Sequence, residues 1–192
     1  MQVMMDRLRP TCSTRILDVG GYVFDWEGVV PITSPIVLLN LAHPPHATLP
    51  ERFTPVVGDA RSMEFPDRAF DIAYSNSVIE HLRTFEDQKR FSAECRRVGR
   101  QLFIQTPNRW FFIEPHFVVP FIHFLPWSIA KHIVRFLSFR ALFRRGDNID
   151  LKKLADELRL LTFREMKELF PDCEIYREKW FGLTKSFVAI RQ

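Results

Sequence analysis

Five short apolar runs punctuate the chain between residues 15 and 105, and each closes on turn-forming residues. They cover 15–20, 36–41, 53–60, 69–74 and 101–105, and none of them alternates apolar with polar positions. Unbroken runs this short predict strands buried on both faces, as in a parallel sheet covered by helices. Between them the period changes. Thr84 to Asp87 has capping-box spacing, Phe91, Cys95 and Val98 follow at helical intervals, and Gly99 stands at the expected end. Thr162 to Glu165 repeats the box, with Met166, Leu169 and Phe170 turned inward and Pro171 as the stop. Residues 22–35 contain Gly28, Pro31 and a β-branched run, so any helix there is short or absent. Residues 174–180 and 185–191 around Gly182 predict a closing antiparallel hairpin.

Strands alternating with helices, followed by a hairpin, predict an α/β fold: a doubly wound, Rossmann-like, mostly parallel sheet of seven strands. Such sheets bind ligands beyond the carboxyl ends of their strands. The polar residues collect there, with Asp18, Gly20 and Gly21 after the first run, Asn40 after the second and Asp59 with Ala60 after the third. Ser75 and Asn76 follow the fourth. Glycines let a backbone approach a ligand closely, and a polar residue about 20 positions later can reach a ribose.

Composition narrows the class. The chain has 192 residues, 46% of them hydrophobic, which suits one domain spanning 1–192 and excludes disorder. Three cysteines, far apart and without CxxC spacing, argue against a disulfide framework and for a reducing compartment. Residues 1–10 carry Asp6, Arg7 and Arg9 and do not resemble a signal peptide, so a cytoplasmic location is expected. The net charge of +4 is local, because residues 115–146 contain Lys131, Arg135, Arg140, Arg144 and Arg145 and no acid. A nucleic-acid binder spreads its cations over a longer face, so nucleic acid is not the favoured partner.

Asp18-Val-Gly-Gly21, Gly58-Asp-Ala60 and the stretch from Phe65 to Asp71 resemble motifs of class I S-adenosylmethionine-dependent methyltransferases. Ser75-Asn-Ser-Val-Ile-Glu-His-Leu82 is similar to the turn after their fourth strand. The likeness runs from about residue 15 to 108 and is strongest to small bacterial proteins that continue with Thr106-Pro-Asn-Arg-Trp110 and Glu114-Pro-His116. It implies S-adenosylmethionine as cofactor. By position, Asp18, Gly20 and Gly21 would form the methionine turn, Asn40 would meet the ribose hydroxyls, and Asp59 with Ala60 the adenine. Ser75 and Asn76 would line the methionine end. Two departures stand out: Tyr22 and Phe24 occupy later glycine positions of the first motif, and Asn40 replaces an acid. Tyr22, Phe24 or Trp26 could instead supply a stacking wall.

Glu80 and His81 form the sharpest acid–base pair, with His81 suited to deprotonating a hydroxyl nucleophile. A Glu-x-x-Glu-His metal motif occurs at this place in plant small-RNA 2′-O-methyltransferases, but Ser77 stands where its first Glu would be. Even with Glu114 and His116 in reach, no metal is expected. Residues 110–143 hold 8 of the 19 Phe residues and two of the four Trp. Within 109–147 a helical insertion after the fifth strand is expected. It is either a hydrophobic, basic cap over the acceptor or a peripheral membrane contact through 116–145, since it is too short and Pro-broken to span a bilayer. The expected reaction is methyl transfer to a small-molecule or lipid-linked acceptor, at a hydroxyl oxygen. The alternative is a methyltransferase-fold scaffold with a degenerate cofactor site. The sequence leaves the oligomeric state open.

Overall fold

The computed structural model describes residues 1–26, 34–42, 49–111, 113–114, 119–120 and 158–192, with the backbone alone at 113–114 and 119–120. The insertion expected within 109–147, the proposed membrane segment 116–145, and the side chains of Glu114 and His116 therefore lie largely or wholly outside the described residues.

The five apolar runs form β1 (Ile16–Val19), β2 (Ile36–Asn40), β3 (Phe53–Val57), β4 (Phe70–Asn76) and β5 (Gly99–Pro107). The terminal hairpin supplies β6 (Glu174–Trp180) and β7 (Leu183–Arg191). They make one seven-stranded sheet in the order β3-β2-β1-β4-β5-β7-β6. Ladders β1–β2, β1–β4, β2–β3 and β4–β5 are parallel, and β7 is antiparallel to both β5 and β6. Helix α1 (Gln2–Leu8) precedes the sheet, α2 (Phe85–Val98) links β4 to β5, and α3 (Phe163–Leu169) leads into the hairpin. The order reverses between β1 and β4, which puts the switch-point crevice at their carboxyl ends.

Both predicted capping boxes start helices. The Thr84 side chain accepts from the Asp87 amide, and Thr162 and Glu165 cap each other reciprocally. One apolar layer packs Phe91, Cys95 and Val98 of α2 with Met166, Leu169 and Phe170 against Leu17, Ala73 and Leu102. The opposite layer packs Met4 and Leu8 of α1 with Trp26, Ile16, Ile72 and Phe103. The sheet is thus dry on both sides, which is why its strands read as continuous apolar runs. Helix α1 has no counterpart among the sequence-based expectations, because seven residues give too few helical periods to see.

Two strands outrun their predicted ends. β4 continues to Asn76 because Ser75 and Asn76 stay paired with Ile104 and Gln105, and β5 continues to Pro107 because β7 pairs it there. Gly99 is the cap of α2 and also the first residue of β5, with extended backbone. Its need for glycine is close packing: a Cβ there would sit 2.7 Å from the Ala73 Cβ and 3.0 Å from the Ala73 nitrogen. Gly99→Ala should therefore force β4 from β5 and lower stability by about 1–3 kcal/mol in chemical denaturation. An unchanged midpoint would show that the ladder yields.

Beneath the β1 turn sits a carboxyl group with no solvent exposure, that of Asp18. Trp26 Nε1 donates to its Oδ2 at 2.6 Å, while Oδ1 has no hydrogen-bond partner among the described residues. Burial pushes this acid from 3.8 up to about 7, with the Trp26 bond opposing the rise and the charge of Asp25 adding to it. Between those values the folded chain retains a proton that the unfolded chain has lost. Stability therefore falls as pH rises from about 4 to about 7, by on the order of 4 kcal/mol from this group. Asp18→Asn keeps an acceptor for Trp26 without the charge, so its melting temperature should drop less than wild type between about pH 5 and about pH 8. Parallel pH profiles of the two proteins would contradict the assignment.

Candidate cofactor cleft

The carboxyl ends of β1, β2 and β3 and the turn after β4 enclose a cleft of about 710 Å³. That volume lies within the range of small-molecule sites, roughly 300–1,000 Å³. Gly20, at φ +79°, turns the chain out of β1 while its amide still donates to Leu39 O at 2.8 Å. A side chain there is impossible for a second reason: its Cβ would lie 2.6 Å from Val78 Cγ2. Likewise a Cβ on Gly21 would fall 1.9 Å from Asp18 Oδ2. The two glycines close the β1 turn over the Asp18 carboxyl on one side and against the β4 turn on the other.

Asn40, the last residue of β2, donates from Nδ2 to Gly21 O at 3.0 Å. The bond fixes the side chain against the glycine turn and turns the acceptor Oδ1 to other use. Gly58 follows β3 and donates to Asn40 O at 2.9 Å, which brings Asp59 and Ala60 onto the same wall. The Asp59 carboxylate is gripped by Arg61, whose Nη2 lies 2.6 Å from Oδ2 and whose backbone amide donates to Oδ1 at 2.8 Å. Arg61 also reaches Asp87 Oδ1 at 3.1 Å. This guanidinium holds the Asp59 carboxyl below its usual range. Tyr22 forms part of the lining and stacks on Phe24, ring centroids 5.7 Å apart.

The turn after β4 closes the far side. Ser75 is buried and donates to Val19 O at 2.9 Å, tying β4 to β1 beneath the cleft. Asn76 is exposed and outside the lining, whereas Ser77 and Val78 are part of it. Ser77 adopts φ +57° and donates to Gln105 Oε1 at 3.1 Å. The short 3₁₀ turn Ile79–His81 then separates the expected pair. His81 is exposed on the cleft wall. Glu80 is completely buried: its Oε2 accepts from Thr106 Oγ1 at 3.1 Å and its backbone oxygen from the Arg159 amide at 2.7 Å.

Of the residues singled out in the sequence, the structure brings Gly20, Asn40, Asp59, Ala60 and His81 to one surface, with Gly21 held against Asn40. Asp18 and Ser75 lie under it, and Glu80 is buried against Thr106 rather than lining the cleft. Trp26 is also buried, bonded to Asp18, so the wall contains Tyr22 and not Trp26. Ser77, Val78, Arg61 and Asp87 also line the cleft but were not among the expected site residues. The signal for the first two was the two-residue extension of β4, which the Ser-Asn-Ser composition hides. No group of three His, Cys, Asp or Glu able to hold a metal occurs among the described residues. No helix among them is long and apolar enough to cross a membrane.

No curated protein sequence matches the chain. The family model for the methyltransferase domain matches residues 36–102, from β2 into β5. The fold is similar to a Rhodobacter sphaeroides chain assigned to the Zn-dependent alcohol dehydrogenases, with TM-score 0.59, 11% identity, and 98% of this chain and 87% of that one covered. It is also similar to a S-adenosylmethionine-dependent methyltransferase of Methanosarcina mazei, with TM-score 0.57, 14% identity and coverage of 99% and 96%. A third likeness is to 1,6-didemethyltoxoflavin-N1-methyltransferase of Burkholderia thailandensis with bound 1,6-didemethyltoxoflavin and S-adenosylhomocysteine, with TM-score 0.57, 13% identity and coverage of 98% and 72%. At these identities the solved structures speak for the fold alone, and the domain match spans β2 to the start of β5. Over residues 36–102 the chain is similar to the methyltransferase domain, and its strand order is that of a Rossmann-like sheet closed by an antiparallel hairpin.

Proposed function

We propose that the cleft holds S-adenosylmethionine with its methionine part over the Gly20–Gly21 turn, its ribose at Asn40 and its adenine beside Asp59 and Ala60. We further propose that the methyl acceptor is a hydroxyl oxygen of a small or lipid-linked molecule. One observation carries the reading: the glycine turn, Asn40, Asp59 and His81, separate in sequence, share the same 710 Å³ cleft. The donor set suits the cofactor. Asn40 Oδ1 can accept from a ribose hydroxyl, and Asp59 can accept from an exocyclic amine. Leu41, Ala42, Ala60 and Leu82 offer apolar flanks for a flat ring.

When bound, the cofactor supplies a methyl group on a sulfonium, delivered by in-line displacement. The chain contributes position and proton transfer. His81 takes the hydroxyl proton as the oxygen gains the methyl group. Glu80 is a positioning residue: its bonds to Thr106 and Arg159 pin the turn that presents His81. Tyr22, stacked on Phe24, contributes its ring to the cleft's side wall.

Calorimetric titration with S-adenosylhomocysteine should show binding by wild type and about tenfold weaker binding by Asp59→Ala. Wild-type chain that gives no heat would leave the scaffold reading in place. With a hydroxyl acceptor, His81→Ala should bind the cofactor as wild type does but lose about a hundredfold or more in kcat. Full turnover by that variant would remove His81 from catalysis.

A further inference from the structure

The hairpin joining β6 to β7 ends in a feature that the methyl-transfer site does not use. Trp180 pairs with Leu183, so Phe181 and Gly182 form a two-residue loop, and both have positive φ, +46° and +80°. Such loops strongly favour Asn or Gly at the first position, and a bulky aromatic there is strained. Phe181 is nevertheless 88% exposed, beside Leu183 at 54% and Trp180 at 46%. Its ring lies 4.7 Å from that of Trp180, which in turn lies 6.2 Å from Phe111. Asn108 binds the two aromatic stretches together, donating from Nδ2 to Thr184 O at 2.8 Å and from its amide to Lys185 O at 3.0 Å. Trp110, 63% exposed, extends the patch under the Arg109 guanidinium.

Charge identifies the occupant. Among the described residues, Arg109, Lys179 and Lys185 flank the aromatics, and the acid beside them, Glu178, is engaged by Ser186 and lies 3.9 Å from Lys185. A narrow aromatic wedge with a cationic collar fits the interface of an anionic bilayer, where rings sit at headgroup depth and cations meet phosphates. A flat protein face would leave the tip standing proud. The direction also fits: Pro107 pairs with Ser186, so the tip projects past the carboxyl end of β5, the edge of the sheet from which the cofactor cleft opens.

We infer that the hairpin tip, centred on Phe181, inserts into anionic membrane surfaces and holds the cleft's edge of the sheet toward the lipid. Membrane docking is independent of which acceptor is methylated. The test is sedimentation of the full chain with vesicles of phosphatidylcholine alone or of equal parts phosphatidylcholine and phosphatidylglycerol. Wild type should sediment with the anionic vesicles and be released by high salt. Phe181→Asn supplies the preferred Asn-Gly loop, so it should melt at or above the wild-type temperature while binding the anionic vesicles about tenfold more weakly. Lys179→Glu should weaken binding without unfolding the chain. Wild type that stays in solution with both vesicle types, or a Phe181→Asn variant that binds undiminished, would overturn the inference; the first result would leave the patch to a protein partner.

Discussion

The fold around the cleft depends on how tightly the chain closes over one buried carboxyl group. Asp18 lies within the fully buried strand β1, and Trp26 returns to bond it. The next turn can pass over that group only because Gly21 has no Cβ, and it can meet the β4 turn only because Gly20 has none. A neutral hydrogen bond of this kind contributes on the order of 1 kcal/mol, whereas an ionised carboxylate in the same place would cost several. The protonated acid is therefore the form that the packing suits, and burial accordingly raises its pKa. Everything on the cleft wall is referred to this closure: Asn40 hangs on Gly21 O, and Gly58 on Asn40 O.

The consequence is a wall in which hydrogen-bonded backbone and paired charges hold one another in place. Asn40 makes a neutral bond where an acid would make a charged one, a difference of about 1 kcal/mol per contact. Both carboxylates of the cleft lining, Asp59 and Asp87, are paired with Arg61. Beside that wall Tyr22 stacks on Phe24 just after the glycine turn. The split between Glu80 and His81 follows the same logic. The buried Glu80 carboxyl group beside Thr106 braces the turn, and the His81 side chain stands on the cleft wall.

Much of this was legible in the residues. Dry strands of a parallel sheet announce themselves as unbroken apolar runs, and both capping boxes marked helix starts because their geometry is local. The glycine turn, Asn40 and Asp59 followed from their order along those strands. What stayed hidden depends on contacts between distant segments. Ser75 looked like a cleft residue because it follows an apolar run, yet a longer β4 ladder with β5 buries it and moves Ser77 and Val78 to the wall. Glu80 and His81 are adjacent in sequence, but a 3₁₀ turn sends neighbours to different sides. The reason for Gly99 lies in Ala73 on another strand, which no local pattern can show.

A crystal structure of the chain with S-adenosylhomocysteine tests the central claim most directly. Ligand density is expected in the cleft, with ribose hydroxyls within hydrogen-bond distance of Asn40 Oδ1, the adenine amine at Asp59 and the homocysteine sulfur on the side of His81. Density at another site, or a ligand whose ribose avoids Asn40 while His81 faces away from the sulfur, would contradict it.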